Sequence, residues 1–275
     1  MKALLPPILW QLMATLKRLL KGVTTDINDI GGFKYDFPSF ESAESYLFER
    51  GSDGYSSDDF LAKLHKSAGL VRDGMAAYER DSYIFDQVLY SWPLLSSLLL
   101  AAGQKDHLNV VDFGGGLGSS FRQNEKFLSL VTSSIDWTVV EQHSVVAIGK
   151  KFFEKNNLKF ISSISQLNDR QIDLCLFSGS LCYLSDPHQK INQIVLLKPK
   201  YIVIDRTPLI EGELDSFGVQ YVPASIFKAS YPIIFLSRIK LFNLLSENYT
   251  MIEKWISDDQ PDTKSSSEGS LWMIK

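Results

Sequence analysis

Cysteine, long apolar runs and an excess of either charge are all scarce in this sequence, and each shortage removes a class of protein. The two cysteines, Cys175 and Cys182, share one apolar stretch. A disulfide framework or a zinc site needs more ligands or another spacing, so both read as reduced core thiols, and a cytoplasmic location is expected. Lys and Arg number 28 against 32 Asp and Glu, a net charge of −4, and they are scattered rather than stacked along one stretch. With no basic face to meet a phosphate backbone, nucleic acid is not an expected partner. What remains is ordinary for a folded chain: of 275 residues, 45% are hydrophobic and 22% charged, enough to bury a sizeable core.

The apolar opening needs a closer reading. Ile8, Leu9, Leu12, Met13, Leu16, Leu19 and Leu20 fall on one helical stripe, with Gln11, Thr15, Lys17 and Arg18 opposite. Lys17, Arg18 and Lys21 follow the apolar run, and Pro6 and Pro7 interrupt it, so it does not read as a secretory signal. It is also too short and polar to span a bilayer. Two readings stay open, docking on the protein's own core or a peripheral membrane contact through residues 5–21.

The chain then divides by character. Residues 1–105 read as a mainly helical N-terminal extension or cap, with helices over 42–50, after Ser57, and over 81–102. Residues 106–275 read as the ligand-binding domain. Short apolar runs at 109–113, 137–141, 158–162, 172–178 and 201–205 alternate with helical segments, and a final pair lies at 250–257 and 270–274. Runs without polar alternation indicate strands covered on both faces, hence a doubly wound α/β architecture.

The strongest local signal is Asn-Val-Val-Asp-Phe-Gly-Gly-Gly-Leu-Gly, in which Asp112 precedes Gly114, Gly115, Gly116 and Gly118. Glycines at a strand-to-helix turn let the backbone bend sharply and let a ligand approach. A dinucleotide site uses such a loop to seat a pyrophosphate. A carboxylate just before the glycines repels that anion and suits S-adenosylmethionine, whose methionine end carries an ammonium. Glu141 ends the second strand, placed to accept ribose hydroxyls, with Gln142 beside it for adenine or ribose. Ser178, Gly179, Ser180 and Tyr183 follow the fourth strand, where open sheets bind ligands.

Beyond that loop, the chain carries Tyr78-Glu79-Arg80-Asp81-Ser82, Trp92-Pro93-Leu94, Val139-Val140-Glu141-Gln142, Asp205-Arg206-Thr207-Pro208, Val219-Gln220-x-Val222-Pro223 and Ala229-Ser230-Tyr231-Pro232. In these it resembles class I S-adenosylmethionine-dependent methyltransferases associated with bacterial surface-polysaccharide and lipopolysaccharide gene clusters. The resemblance runs from about Phe37 to Tyr249 and departs from the pattern at Gly116, where Ser is expected, and at Phe227, where Tyr is usual. It implies a Rossmann-like fold of seven mostly parallel strands, the last antiparallel, and O-methylation of a sugar or glycan-precursor hydroxyl.

Methyl transfer is an in-line displacement, so much of the rate comes from aligning the nucleophile, with a base to take its proton. Asp205 and Arg206 end the fifth strand, where an acceptor should lie; Asp205 is a candidate base and Arg206 a candidate anion receptor. Tyr183 and Asp81 complete the catalytic candidates, with Gln220, Tyr221 and Tyr231 as a possible sugar platform. His188 and His143 follow strands but read more simply as surface residues. No metal is expected, since no paired Asp-Asn follows the fifth strand. Two other classes stay open, a nicotinamide-dependent oxidoreductase or epimerase, and a non-catalytic binding module on the same fold.

Overall fold

Strands that are apolar on both faces need helices on both sides, and the computed structural model arranges them so. It describes residues 31–52, 58–103, 105–167, 171–222, 229–257 and 265–275. The expected N-terminal helix, the contact through residues 5–21 and Phe227 lie outside these residues.

The N-terminal part supplies β1 (Gly32–Phe37), α1 (Phe40–Phe48), α2 (Asp58–Arg72), a hairpin of β2 (Tyr78–Arg80) and β3 (Tyr83–Phe85), and α3 (Trp92–Ala102). The central part alternates β4 (His107–Phe113), α4 (Ser119–Leu128), β5 (Ser134–Val140), α5 (His143–Phe152) and β6 (Leu158–Ile161). After β7 (Leu174–Ser178), α6 (Pro187–Leu196) and β8 (Tyr201–Ile210) come two strands outside that alternation, β9 (Ser216–Val222) and β10 (Ala229–Ser237). The chain closes with α7 (Arg238–Ser246), β11 (Tyr249–Ile256) and β12 (Ser266–Ile274).

Strands β6, β5, β4, β7 and β8 pair in that order, all parallel. Beyond β8 lies β12, antiparallel to it, and then β11, antiparallel to β12. This is the expected seven-strand order with its reversed last strand. The sheet does not end there. Past the end of β7, β10 takes up pairing with β8 at Leu209 and Ile210, β9 pairs antiparallel with β10, and β1 pairs antiparallel with β9. Gln220, Tyr221 and Tyr231, read from sequence as a possible sugar platform, thus lie on a β-ribbon of β9 and β10, and β1 of the N-terminal part is its third strand.

Adjacent residues of β4 point into opposite layers. Val110 joins a core with Leu94 and Leu98 of α3, Phe121 of α4 and Val145 of α5, while Val111 joins one with Ile191 and Ile194 of α6 and Leu241 and Leu245 of α7. Each such buried side chain contributes roughly 1.5–3 kcal/mol. Helix starts are fixed locally. Asp186 accepts from the Gln189 amide at 3.0 Å to cap α6, and Ser39 and Ser42 form a reciprocal capping box on α1.

The helix expected over 81–102 is corrected. It begins only at Trp92, and Asp81 and Ser82 form the two-residue turn of the β2–β3 hairpin with φ of 52° and 63°. Two consecutive left-handed residues are the geometry of a tight hairpin turn, which small polar side chains tolerate. Among the described residues, no helix is long and apolar enough to cross a membrane.

Candidate functional site

The carboxyl ends of β4, β5, β7 and β8 converge on the glycine loop. Gly118, at φ 90°, is the left-handed cap that starts α4, a conformation costly for any residue with a Cβ. Gly115 is needed for space, because a Cβ there collides with the Asp112 carboxylate. Three of the loop's amides are used internally. Gly114 donates to the Val140 carbonyl at 2.9 Å, Gly116 to Glu141 Oε1 at 3.2 Å, and Gly118 to the Gly115 carbonyl at 3.0 Å.

Asp112 is 1% exposed and accepts the Trp137 indole N–H at 3.1 Å. Burial pushes its carboxyl up to about 7; the Trp137 hydrogen bond opposes this and the nearby Glu141 adds to it. Glu141 also accepts the Gln142 amide at Oε2, 2.8 Å, and burial raises it above the ordinary range despite both amides. Two carboxylates therefore flank the loop, and Glu141 holds its backbone at Gly116. Leu64 of α2 approaches the loop at Gly116, its Cδ1 4.0 Å from where a Cβ there would stand.

Ser178 ends β7 in register with Asp205 of β8. Ser180 packs directly on Gly114, and its buried Oγ has no hydrogen-bond partner among the described residues. Tyr183 donates its hydroxyl to Gln220 Oε1 at 2.7 Å and stands edge-on to Tyr231, ring centroids 6.2 Å apart. The ribbon thereby reaches the site, since Gln220 and Tyr231 are cross-strand partners of β9 and β10. Tyr221 is separated from them. Successive strand residues alternate faces, so it packs with Ala43 and Leu47 of α1, its hydroxyl 3.3 Å from that of Tyr46.

Asp205 is not presented as an open base. It is 1% exposed, and its carboxylate accepts from Trp255 Nε1 at 2.8 Å, Ser257 Oγ at 3.2 Å and Ser91 Oγ at 3.4 Å. Burial raises its pKa, opposed by Trp255 and Arg206. Arg206 reaches the hairpin turn, where its Nη2 pairs with Asp81. Residues 125 apart thus meet at the crevice, Asp81 from a turn rather than a helix start.

The histidines are placed outside this cluster. His143 is exposed at the start of α5, and His188 pairs with Asp215 at 2.9 Å. Cys175 and Cys182 are buried and unlinked, and burial pushes the Cys182 thiol up to about 12. Sequence reasoning missed Trp137, Trp255 and Ser257, which depend on strand register, and a buried group behind the loop. There Glu79, 1% exposed, bonds Ser119 and lies 3.5 Å from Arg122. Its signal in the sequence is Tyr78-Glu79-Arg80, an acidic residue beside an aromatic one ahead of the glycine loop.

No protein-family profile and no curated protein matches the chain. Solved structures resemble it. A Burkholderia thailandensis 1,6-didemethyltoxoflavin-N1-methyltransferase, with 1,6-didemethyltoxoflavin and S-adenosylhomocysteine bound, is 15% identical with a TM-score of 0.44, covering 78% of this chain and 89% of its own. The N-terminal domain of EvdMO1, solved in the presence of SAH and D-fucose, is 13% identical with a TM-score of 0.47, covering 78% and 97%. Magnesium protoporphyrin IX methyltransferase of Synechocystis PCC 6803, with SAH bound, is 10% identical with a TM-score of 0.43, covering 86% and 97%. At such identities the likeness is one of fold, and what those proteins bind is a fact about them.

Proposed function

We propose that this chain is an S-adenosylmethionine-dependent methyltransferase that O-methylates a sugar or glycan-precursor hydroxyl. The observation that carries the cofactor reading is the use of the loop amides. A pyrophosphate site must offer free N–H groups at this turn, whereas Gly114, Gly116 and Gly118 already donate to the chain, and Glu141 occupies the place of an anion. The same arrangement suits a ligand with an ammonium and a ribose. Asp112 faces the positive methionine end, Glu141 accepts ribose hydroxyls with its remaining lone pairs, and Gln142 and Ser178 line the two sides. The bound cofactor supplies a methyl group on a sulfonium.

The chain's own residues do the positioning. Tyr183, Gln220 and Tyr231 give an aromatic and amide surface suited to a hydroxylated ring. Asp205 fastens Trp255 and Ser257 and keeps the β8 end rigid. Asp81, exposed at the crevice and paired with Arg206, is the carboxylate assigned to take the acceptor proton once that pair opens.

Titration calorimetry with S-adenosylmethionine, S-adenosylhomocysteine and NAD tests the reading, alongside Asp112→Ala/Glu141→Ala. Micromolar binding of the first two, lost in the variant and absent with NAD, is expected. Preference for NAD turns the reading to an oxidoreductase. Binding of none of the three leaves a non-catalytic module.

A further inference from the structure

Arg206 sits at an irregularity in β8. Pairing with β12 runs from Tyr201 opposite Met273 to Ile204 opposite Ser270 and resumes at Thr207 opposite Glu268. Asp205 and Arg206 thus share Gly269 as their counterpart, which makes a bulge, a device that re-aims a side chain. Arg206 adopts φ 52° there, and its amide donates to Ser257 Oγ at 3.2 Å. Positive φ in a residue with a Cβ is strained and persists only where the surroundings over-determine it.

The bulge turns the guanidinium over the tip of β7. Gly179 leaves it room, since a Cβ at that position stands 3.3 Å from Arg206 Cζ. Arg206 is held in a wall, its side chain 20% exposed, while its partner Asp81 is 72% exposed at a hairpin turn. An ion pair with so exposed a partner contributes little to stability. Gly179 is required by its own left-handed backbone, φ 65°, and the strained backbone at Arg206 aims the guanidinium across it toward the crevice.

We propose that Arg206 is the binding residue for an oxyanion, carboxylate or phosphate, carried by the acceptor, and that Asp81 occupies the guanidinium until that anion displaces it. The acceptor is then an acidic or phosphorylated sugar rather than a neutral one. A planar guanidinium pairs with either oxyanion through two parallel hydrogen bonds, which fixes the ring beside Tyr183 and Gln220. The displaced Asp81 carboxylate is at the same moment released next to the acceptor. The inference rests on the carboxyl-end crevice being the acceptor site, as proposed above.

The test follows the Arg206 side-chain Nε–H signal by ¹⁵N NMR on the full chain saturated with S-adenosylhomocysteine. D-glucuronate, α-D-glucose 1-phosphate and D-glucose are titrated separately. One or both anionic sugars should move the signal saturably and glucose should not, and which anion responds separates carboxylate from phosphate. Arg206→Gln should weaken that binding about tenfold or more, and Asp81→Asn should tighten it about fivefold by removing the competitor. Equal binding of glucose, no movement of the signal by either anion, or weaker anion binding in Asp81→Asn overturns the proposal. If Arg206→Gln does not fold, Asp81→Asn alone decides. S-adenosylhomocysteine binding, measured first by calorimetry, separates the two readings: its failure sinks the cofactor assignment, and its success without an anion response sinks only this one.

Discussion

Trp137 donates its indole N–H to the Asp112 carboxylate across two adjacent parallel strands, at 3.1 Å. Val110 and Trp137 are in register, and Asp112 lies two residues on along the same face, so the indole reaches forward to the end of β4. The bond holds part of a carboxylate whose pKa burial has pushed up to about 7. An ammonium ligand needs the ionised form, so S-adenosylhomocysteine affinity should rise about tenfold per pH unit below 7 and level off above it. Trp137→Phe should move that midpoint upward, as calorimetry between pH 6 and 8 would show. Stability runs the other way. A raised folded-state pKa gives a contribution that is full below the unfolded value and lost as pH rises to about 7, at roughly 1.4 kcal/mol per pH unit. Asp112→Asn should therefore melt higher at pH 8 while losing the ligand, and a lower melting temperature would contradict this account.

Gly115→Ala tests the same carboxylate by sterics. The new Cβ collides with Asp112, and the backbone at Gly115 is not left-handed, so the effect is one of space alone. Affinity for S-adenosylhomocysteine should fall more than about tenfold, a loss above 1.4 kcal/mol. Gly69→Ala in α2, where a Cβ meets nothing within 4 Å, is the control. It should leave affinity unchanged and stabilise the helix by about 1 kcal/mol. Equal affinities in the two variants would remove Asp112 from the binding site.

How much of this was legible depends on which interactions are local. Val110 and Val111 announce a strand buried on both faces, and the glycines after Asp112 announce the turn, because each constraint acts within a few residues. The β2–β3 hairpin was not legible, since Asp81 and Ser82 serve equally as helix-start chemistry and as a left-handed turn. The fifth strand is expected over 201–205, yet β8 continues to Ile210, where the ribbon supplies a new partner. Trp137, Trp255 and Ser257 reach the site carboxylates only through register. Tyr221 shared a stretch with Gln220 but not a face, a distinction that needed the strand assignment first.

Glu79 and Arg122 join the N-terminal hairpin to the helix that follows the glycine loop, 3.5 Å apart and both largely buried. Burial raises the Glu79 pKa, and Ser119 and Arg122 hold it back. Arg122→Met leaves a buried carboxylate without its counter-charge and should cost about 3–5 kcal/mol in urea denaturation. The double variant Glu79→Gln/Arg122→Met should recover most of that loss, because no unpaired charge remains. A single variant within 1 kcal/mol of the unaltered protein would show that the pair does not fasten the hairpin.

Asp215, between β8 and β9, gathers three donors: the Ser237 amide at 2.8 Å, His188 Nε2 at 2.9 Å and Lys240 Nζ at 2.8 Å. Burial alone would raise its pKa, but His188, Lys240 and the Ser237 amide outweigh it and bring it down to about 2. A depressed folded-state value gives stability that is present above the unfolded pKa and lost as pH falls through about 2. Allowing for solvent screening, Asp215→Asn should cost about 1 kcal/mol at pH 7, and the gap should close as pH approaches 2. His188 lies in the first turn of α6, shortly after Tyr183, and Lys240 in the first turn of α7, so the cluster ties the ribbon's entry to the loop that carries Tyr183. Loosening it should raise KM for the acceptor and leave S-adenosylhomocysteine affinity unchanged. Thermal melts from pH 2 to 8 with calorimetry at pH 7 separate the two effects. A variant as stable as the unaltered protein at pH 7, or one with weakened cofactor binding, would mean that Asp215 does not hold the ribbon to the acceptor side.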